Sequence, residues 1–126
     1  MSVAYVDTSA LVAIAFDERG AAGCARKLNS FSRLLSSNLL EAELRAVFAR
    51  EGQGFMPGLV SGIEWVLPDR PLSHEFETAL QVGYLRGADL WHVATALYIA
   101  PEPDDISFVT LDHRQRNIAK ALGFRV

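Results

Sequence analysis

The sequence predicts an α/β fold whose parallel sheet is covered by helices on both faces. Strand-like runs that are apolar without alternation carry this reading, together with the helical segments that alternate with them. No repeat, linker or low-complexity stretch interrupts the 126 residues, so the chain reads as one domain, 1–126.

Residues 3–6 form a short apolar run that ends at Asp7, the first strand. Thr8 and Ser9 are suited to cap a buried helix over 10–16, which 17–20 interrupts before a second helix at 21–28. Residues 33–36 give a second strand, and Asn38 is placed to cap a helix from Leu39 to about Arg50. Gly52, Gly54, Pro57 and Gly58 make a loop, followed by a third strand at 63–67 that Pro68 closes. Ser73 caps a helix to about Leu85, and Gly87 separates it from another that begins near Asp89 and ends at Pro101 and Pro103. A fourth strand at 107–111, a helix at 113–122 and a last short strand at 123–126 complete a sheet of about five strands.

Half of the residues are hydrophobic, which supports a well-buried core and argues against disorder. No apolar stretch approaches the roughly 18 residues of a membrane span. No basic flank precedes an apolar run and cleavage site, and the lone Cys24 allows neither an internal disulfide nor a cysteine-based metal site. A cytoplasmic protein is the expectation. The net charge of −3 is unusual for a nucleic-acid partner. Acids committed to divalent cations would reverse that sign locally, so net charge does not exclude one.

In open α/β sheets the functional site lies beyond the carboxyl ends of the strands. Asp7 follows the first strand and Asp112 the fourth, so both project toward one sheet edge. Asp89 opens a helix that is apolar nearly all round and therefore packs on the sheet. For each of these three the plainer alternative is a helix cap.

Glu43 is more telling. At about 100° per residue, Leu39, Leu40, Leu44, Val47 and Phe48 cover one broad helix face, and Glu43 falls inside that arc. Glu41 falls at its edge, with Arg45 four residues on to pair with it at the surface. A carboxylate on an apolar face needs a partner, either a metal ion or a buried hydrogen bond. Four converging carboxylates repel one another, and a hard cation such as Mg²⁺ or Mn²⁺ resolves that repulsion through oxygen ligands. Such a site suits phosphodiester cleavage with no general-base histidine.

These residues resemble the motifs of PIN domains. Val6-Asp7-Thr8-Ser9-Ala10-Leu11 is similar to the opening motif, and Ala42-Glu43-Leu44 to the helix glutamate motif. Arg86 to Ala96 resembles the third motif, with Leu90-Trp91 a mild departure from its usual smaller residues. Val109-Thr110-Leu111-Asp112 and the segment 119–124 resemble the fourth motif and closing helix. The compact length is similar to the VapC toxins of toxin–antitoxin pairs.

The resemblance implies an α/β/α sandwich with a central parallel sheet and a Mg²⁺- or Mn²⁺-dependent endoribonuclease. It also implies a homodimer and a cognate small antitoxin protein. Carried over, Asp7, Glu43, Asp89 and Asp112 are the catalytic and metal-binding acids, and Thr8 and Thr110 are hydroxyls that orient carboxylates or water. In the antitoxin, an arginine or lysine would enter the acidic site, and apolar contact would come from Leu11, Ile14 and Phe16 of the early helices.

Around these acids, His92 reads as a hydrogen-bonded core histidine before a phosphate or metal contact. Arg86 is a candidate RNA-phosphate contact by position; His113, Arg114 and Arg116 are candidates as well as a plain basic helix surface. Trp65 and Trp91 offer stacking surfaces, with core or dimer packing preferred.

Three rivals are weaker. A haloacid-dehalogenase-type phosphotransferase needs a second aspartate where Ser9 stands. Nucleotide binding lacks a glycine-rich loop after any strand. A catalytically idle PIN-like domain that only binds RNA or protein has no need to tolerate four mutually repelling acids.

Overall fold

The computed structural model describes residues 2–126. Four parallel strands, β1 (Val3–Val6), β2 (Arg33–Ser37), β3 (Ile63–Val66) and β4 (Ser107–Val109), form a sheet in the order β3-β2-β1-β4. Six α-helices flank it: α1 (Thr8–Ala15), α2 (Ala21–Asn29), α3 (Leu39–Arg50), α4 (Ser73–Val82), α5 (Gly87–Ile99) and α6 (His113–Ala121).

Side-chain alternation along β1 divides the core. Ala4 and Val6 join Ala10, Leu11, Leu28, Leu40, Leu44 and Phe48, so α1, α2 and α3 cover one face. Tyr5 joins Ala79, Val93, Ala96, Ile118 and Ala119, so α4, α5 and α6 cover the other. The chain is an α/β/α sandwich. Successive strands run outward from β1 to β3, and then β4 returns to the far side of β1. The strand order therefore reverses between β1 and β4, where a crevice opens at the carboxyl ends.

Several boundaries differ from the sequence expectation. β4 stops at Val109, two residues short of Leu111, because its partner β1 ends at Val6 and the last ladder bond runs from the Asp7 N–H to the Val109 carbonyl. Beyond it, side-chain hydroxyls replace the ladder: the Leu111 N–H donates to Ser9 Oγ and the Asp112 N–H to Thr110 Oγ1. The expected fifth strand is reduced to one parallel bridge between Arg125 and Ser107. It follows Gly123, whose left-handed φ of 106° turns the chain back so that the Phe124 N–H reaches the Ala119 carbonyl.

Helix starts are also corrected. Asp7, and not Thr8 or Ser9, caps α1. At α3 the Asn38 amide donates to Glu41, while Ser37 Oγ accepts the Leu39 N–H. Ser73 is the first residue of α4 and not its cap; the helix ends at Val82, and the extended backbone of Gly83 leads it away before Leu85. Arg86 caps α5, which puts Asp89 inside the first turn and excludes the capping alternative for it. Among the described residues no helix is long and apolar enough to cross a membrane.

Candidate active site

Asp7 sits at the crevice between β1 and β4 and is 4% exposed. One oxygen, Oδ2, accepts the Ser9 N–H at 3.1 Å and faces Thr110 Oγ1 at 3.2 Å. The other, Oδ1, accepts from Gln115 Nε2 at 3.2 Å. Gln115 is fully buried and also reaches the Asp89 carbonyl and the Thr110 hydroxyl, so one amide ties β1, β4, α5 and α6 together at this point. Asp7 thus caps a helix and presents a fixed carboxylate at once.

Glu43 has the hydrogen-bonded partners that its place on an apolar face requires. Thr8 Oγ1 donates to its Oε1 at 2.7 Å, and His92 Nε2 meets the same oxygen at 2.8 Å. Among the described residues no side chain bonds Oε2. Burial pushes this carboxyl's pKa up, but the bonds from His92 and Thr8 outweigh it and hold the pKa below the ordinary value. Glu41 instead pairs with Arg45 at 2.7 Å on the surface.

His92 is buried, as expected, and its ring links the site to the core. Its Nδ1 lies 2.7 Å from the Tyr5 hydroxyl, which accepts the Ser37 N–H at 3.0 Å. Burial drives the Tyr5 pKa far above its ordinary value, so the phenol keeps its proton. With its acceptor side turned to Ser37, Tyr5 donates to Nδ1, and His92 is left to donate from Nε2 to Glu43. A chain of bonds therefore runs from β2 through Tyr5 and His92 to the Glu43 carboxylate.

Asp89 and Asp112 lie on the outer side. Asp112 caps α6, with Oδ1 accepting the Gln115 N–H at 2.8 Å. The Asp89 carboxylate has no hydrogen-bond or ion-pair partner among the described residues. Both line a hollow of about 200 Å³ together with Tyr84, Leu85, Arg86 and Arg114. The pKa of Asp89 is raised, first by burial, then by the charges of Asp7 and Asp112 and more weakly by Glu43, against a lowering by Arg86. Asp89 is therefore within electrostatic reach of the other three acids. Arg86 and Arg114 stand beside the acids, whereas Arg116 is exposed on α6 outside this hollow. Trp91 donates its indole N–H to Ser37 Oγ at 2.6 Å, and Trp65 packs on the core, as the packing readings expect.

The raised Asp89 pKa has a measurable consequence. A carboxyl whose folded pKa exceeds its unfolded one subtracts stability at neutral pH, and the subtraction disappears as the pH falls through the folded value. With divalent cations chelated, Asp89→Asn is expected to raise Tm at pH 7 by about 1–3 °C, a small effect because solvent screens this half-buried group. The gain should shrink as the pH falls through the folded value and vanish by about pH 3, where aspartate is protonated in both states. Thermal melts across pH check this, and a variant that melts lower at pH 7 would contradict it.

The family model described as the PIN domain matches residues 4–121. This chain belongs to the PIN domain family. No curated protein and no solved structure gives a significant match. The PIN domain is generally a nuclease fold, and its members typically depend on divalent metal ions.

In this PIN domain no three His, Cys, Asp or Glu side chains among the described residues already converge on one ion position. The donor set nonetheless fits a hard cation. Mg²⁺ is held by one or two carboxylates with water and substrate phosphate in the remaining positions. The unpartnered Asp89 carboxylate and Glu43 Oε2 are oxygen donors of that kind beside the fixed Asp7.

Sequence reasoning took Ser9 only for a helix cap and passed over Gln115. Gln115 shares one face of α6 with Ile118, Ala119 and Leu122, so it carries the same signal that picked out Glu43: a polar residue inside an apolar arc.

Proposed function

We propose that this PIN domain is a divalent-cation-dependent endoribonuclease in which Asp7, Glu43, Asp89 and Asp112 form the acidic site. One observation carries the reading: the half-buried Asp89 carboxyl is unpartnered, and its pKa is raised by burial first and then by the charges of the other three acids. Such a charge arrangement is unfavourable until a cation neutralises it. Asp7, Asp89, Asp112 and Glu43 would hold Mg²⁺ or Mn²⁺, which when bound activates water and stabilises charge on the phosphate and leaving oxygen. Thr8 orients Glu43, Thr110 and Gln115 orient Asp7, and Arg86 and Arg114 meet RNA phosphates at the hollow.

The resemblance to VapC toxins supports a finer reading, a toxin that acts as a homodimer and is inhibited by a small antitoxin with an arginine or lysine in the acidic site. The three early-helix residues of that partner surface are unequally open. Leu11 is buried in this chain's own core, and Phe16 packs on Phe48 at a ring separation of 5.0 Å. Leu11 and Ile14, but not Phe16, line an open hollow of about 270 Å³ with Leu34, Leu59 and Ile63.

Incubation of the purified chain with transfer and ribosomal RNAs tests the main reading. Discrete new ends are expected with Mn²⁺ or Mg²⁺ and none after chelation. Intact RNA in Mn²⁺, or cleavage indifferent to chelator, would end it. For the toxin, co-expression with the upstream gene should yield a co-purifying small protein. If none is found and expression leaves growth untouched, the nuclease reading stands without the toxin.

A further inference from the structure

Tyr84 lies in the segment 83–86 between α4 and α5 and is 65% exposed. A lone exposed aromatic needs no explanation, but its surroundings give this one a role. Two hollows meet at its side chain. One is the hollow of about 200 Å³ that contains Asp89, Asp112 and Arg86; the other, of about 430 Å³, is lined by Gly83, Tyr84, Arg114, Asn117 and Ile118. Tyr84 and Arg114 line both, so the acidic site continues outward past an aromatic ring and a guanidinium group.

The segment is held against α6. A Cβ on Gly83 would approach Ile118 Cδ1 to 3.0 Å, so glycine permits the backbone to lie this close to the helix. Tyr84 is thereby carried beside Arg114 and Asn117.

We propose that Tyr84, Arg114 and Asn117 form a subsite for one unpaired nucleotide of RNA next to the position of cleavage. The inference rests on the ribonuclease reading and adds what the substrate must present. The phenol ring offers a stacking face, Arg114 pairs with a phosphate, and the Asn117 amide provides both a donor and an acceptor for a base edge. Bases in a duplex have both faces covered by their neighbours, so a stacking platform of this kind selects single-stranded segments or loops.

Fluorescence polarisation tests it with a labelled single-stranded RNA oligonucleotide and the same oligonucleotide annealed to its complement. Asp7→Asn serves as the non-cleaving background. The single strand is expected to bind tighter than the duplex. Adding Tyr84→Ala should weaken single-strand binding about tenfold, Tyr84→Phe should retain it, and duplex binding should change little. Because Tyr84 is exposed, Tm should stay the same, which separates lost contact from lost fold. Equal affinity of Ala and background, or a preference for duplex, overturns the subsite even if wild-type protein cleaves RNA. If wild-type protein neither binds nor cleaves RNA, the ribonuclease reading fails and the subsite falls with it.

Discussion

Asp7→Asn is expected to lower the rate of RNA cleavage by at least about 1,000-fold, roughly 4 kcal/mol of barrier, while the protein stays folded. Asparagine is as good a helix cap as aspartate and has nearly the same volume, so the Ser9 N–H keeps an acceptor and α1 keeps its start. What disappears is the charge. Asp7 is the most buried of the four acids and the one fixed from several directions, by Ser9, Thr110 and Gln115. Its carboxylate contributes charge at a fixed point, which a divalent ion and the water it activates require. The neutral amide also sets one N–H group toward neighbours arranged around an acceptor, a disturbance that small rotations of Gln115 and Thr110 absorb. Initial rates in saturating Mn²⁺, alongside a thermal melt of the same sample, check both halves. Cleavage within tenfold of wild type in a folded variant would remove the charge of Asp7 from the mechanism.

The layers of the fold were legible because strands buried on both faces leave continuous apolar runs, and Asp7 and Asp112 were legible as candidates because they follow such runs. Glu43 was found by its angle on α3. The other limits have physical causes. Asp89 looked like a helix start, but the extended Arg86 takes the cap and moves Asp89 one turn inward, where its side chain can face the crevice. The end of β4 depends on the length of β1, a non-local matter that the apolar run 108–111 does not contain. The last segment reads as a strand, yet one bridge to Ser107 is all the short edge of β4 can offer. His92 was read correctly as a core histidine, but its partners Tyr5 and Glu43 lie 87 and 49 residues away, and no local pattern connects them.

That buried histidine carries the second large effect. His92→Ala is expected to destabilise the protein by about 3 kcal/mol, a Tm loss on the order of 10 °C, by opening a cavity, leaving the Tyr5 hydroxyl proton without its acceptor and removing one of the two donors to Glu43. Cleavage should also fall, by about tenfold to a hundredfold in kcat with KM little changed, because Glu43 keeps only Thr8 to hold it. Activity and stability can be pulled apart by which ring nitrogen is replaced. In His92→Asn the amide oxygen stands near the place of Nδ1 and accepts from Tyr5, restoring part of the stability and little of the rate. In His92→Gln the amide nitrogen stands near the place of Nε2 and donates to Glu43, restoring more of the rate. The split follows from the assigned bonds: Tyr5 donates to Nδ1, and Nε2 donates to Glu43. Single-turnover rates and melts of the three variants measure it. If Asn and Gln restore cleavage equally, or if the alanine variant is folded and fully active, His92 supports only the core and does not position Glu43.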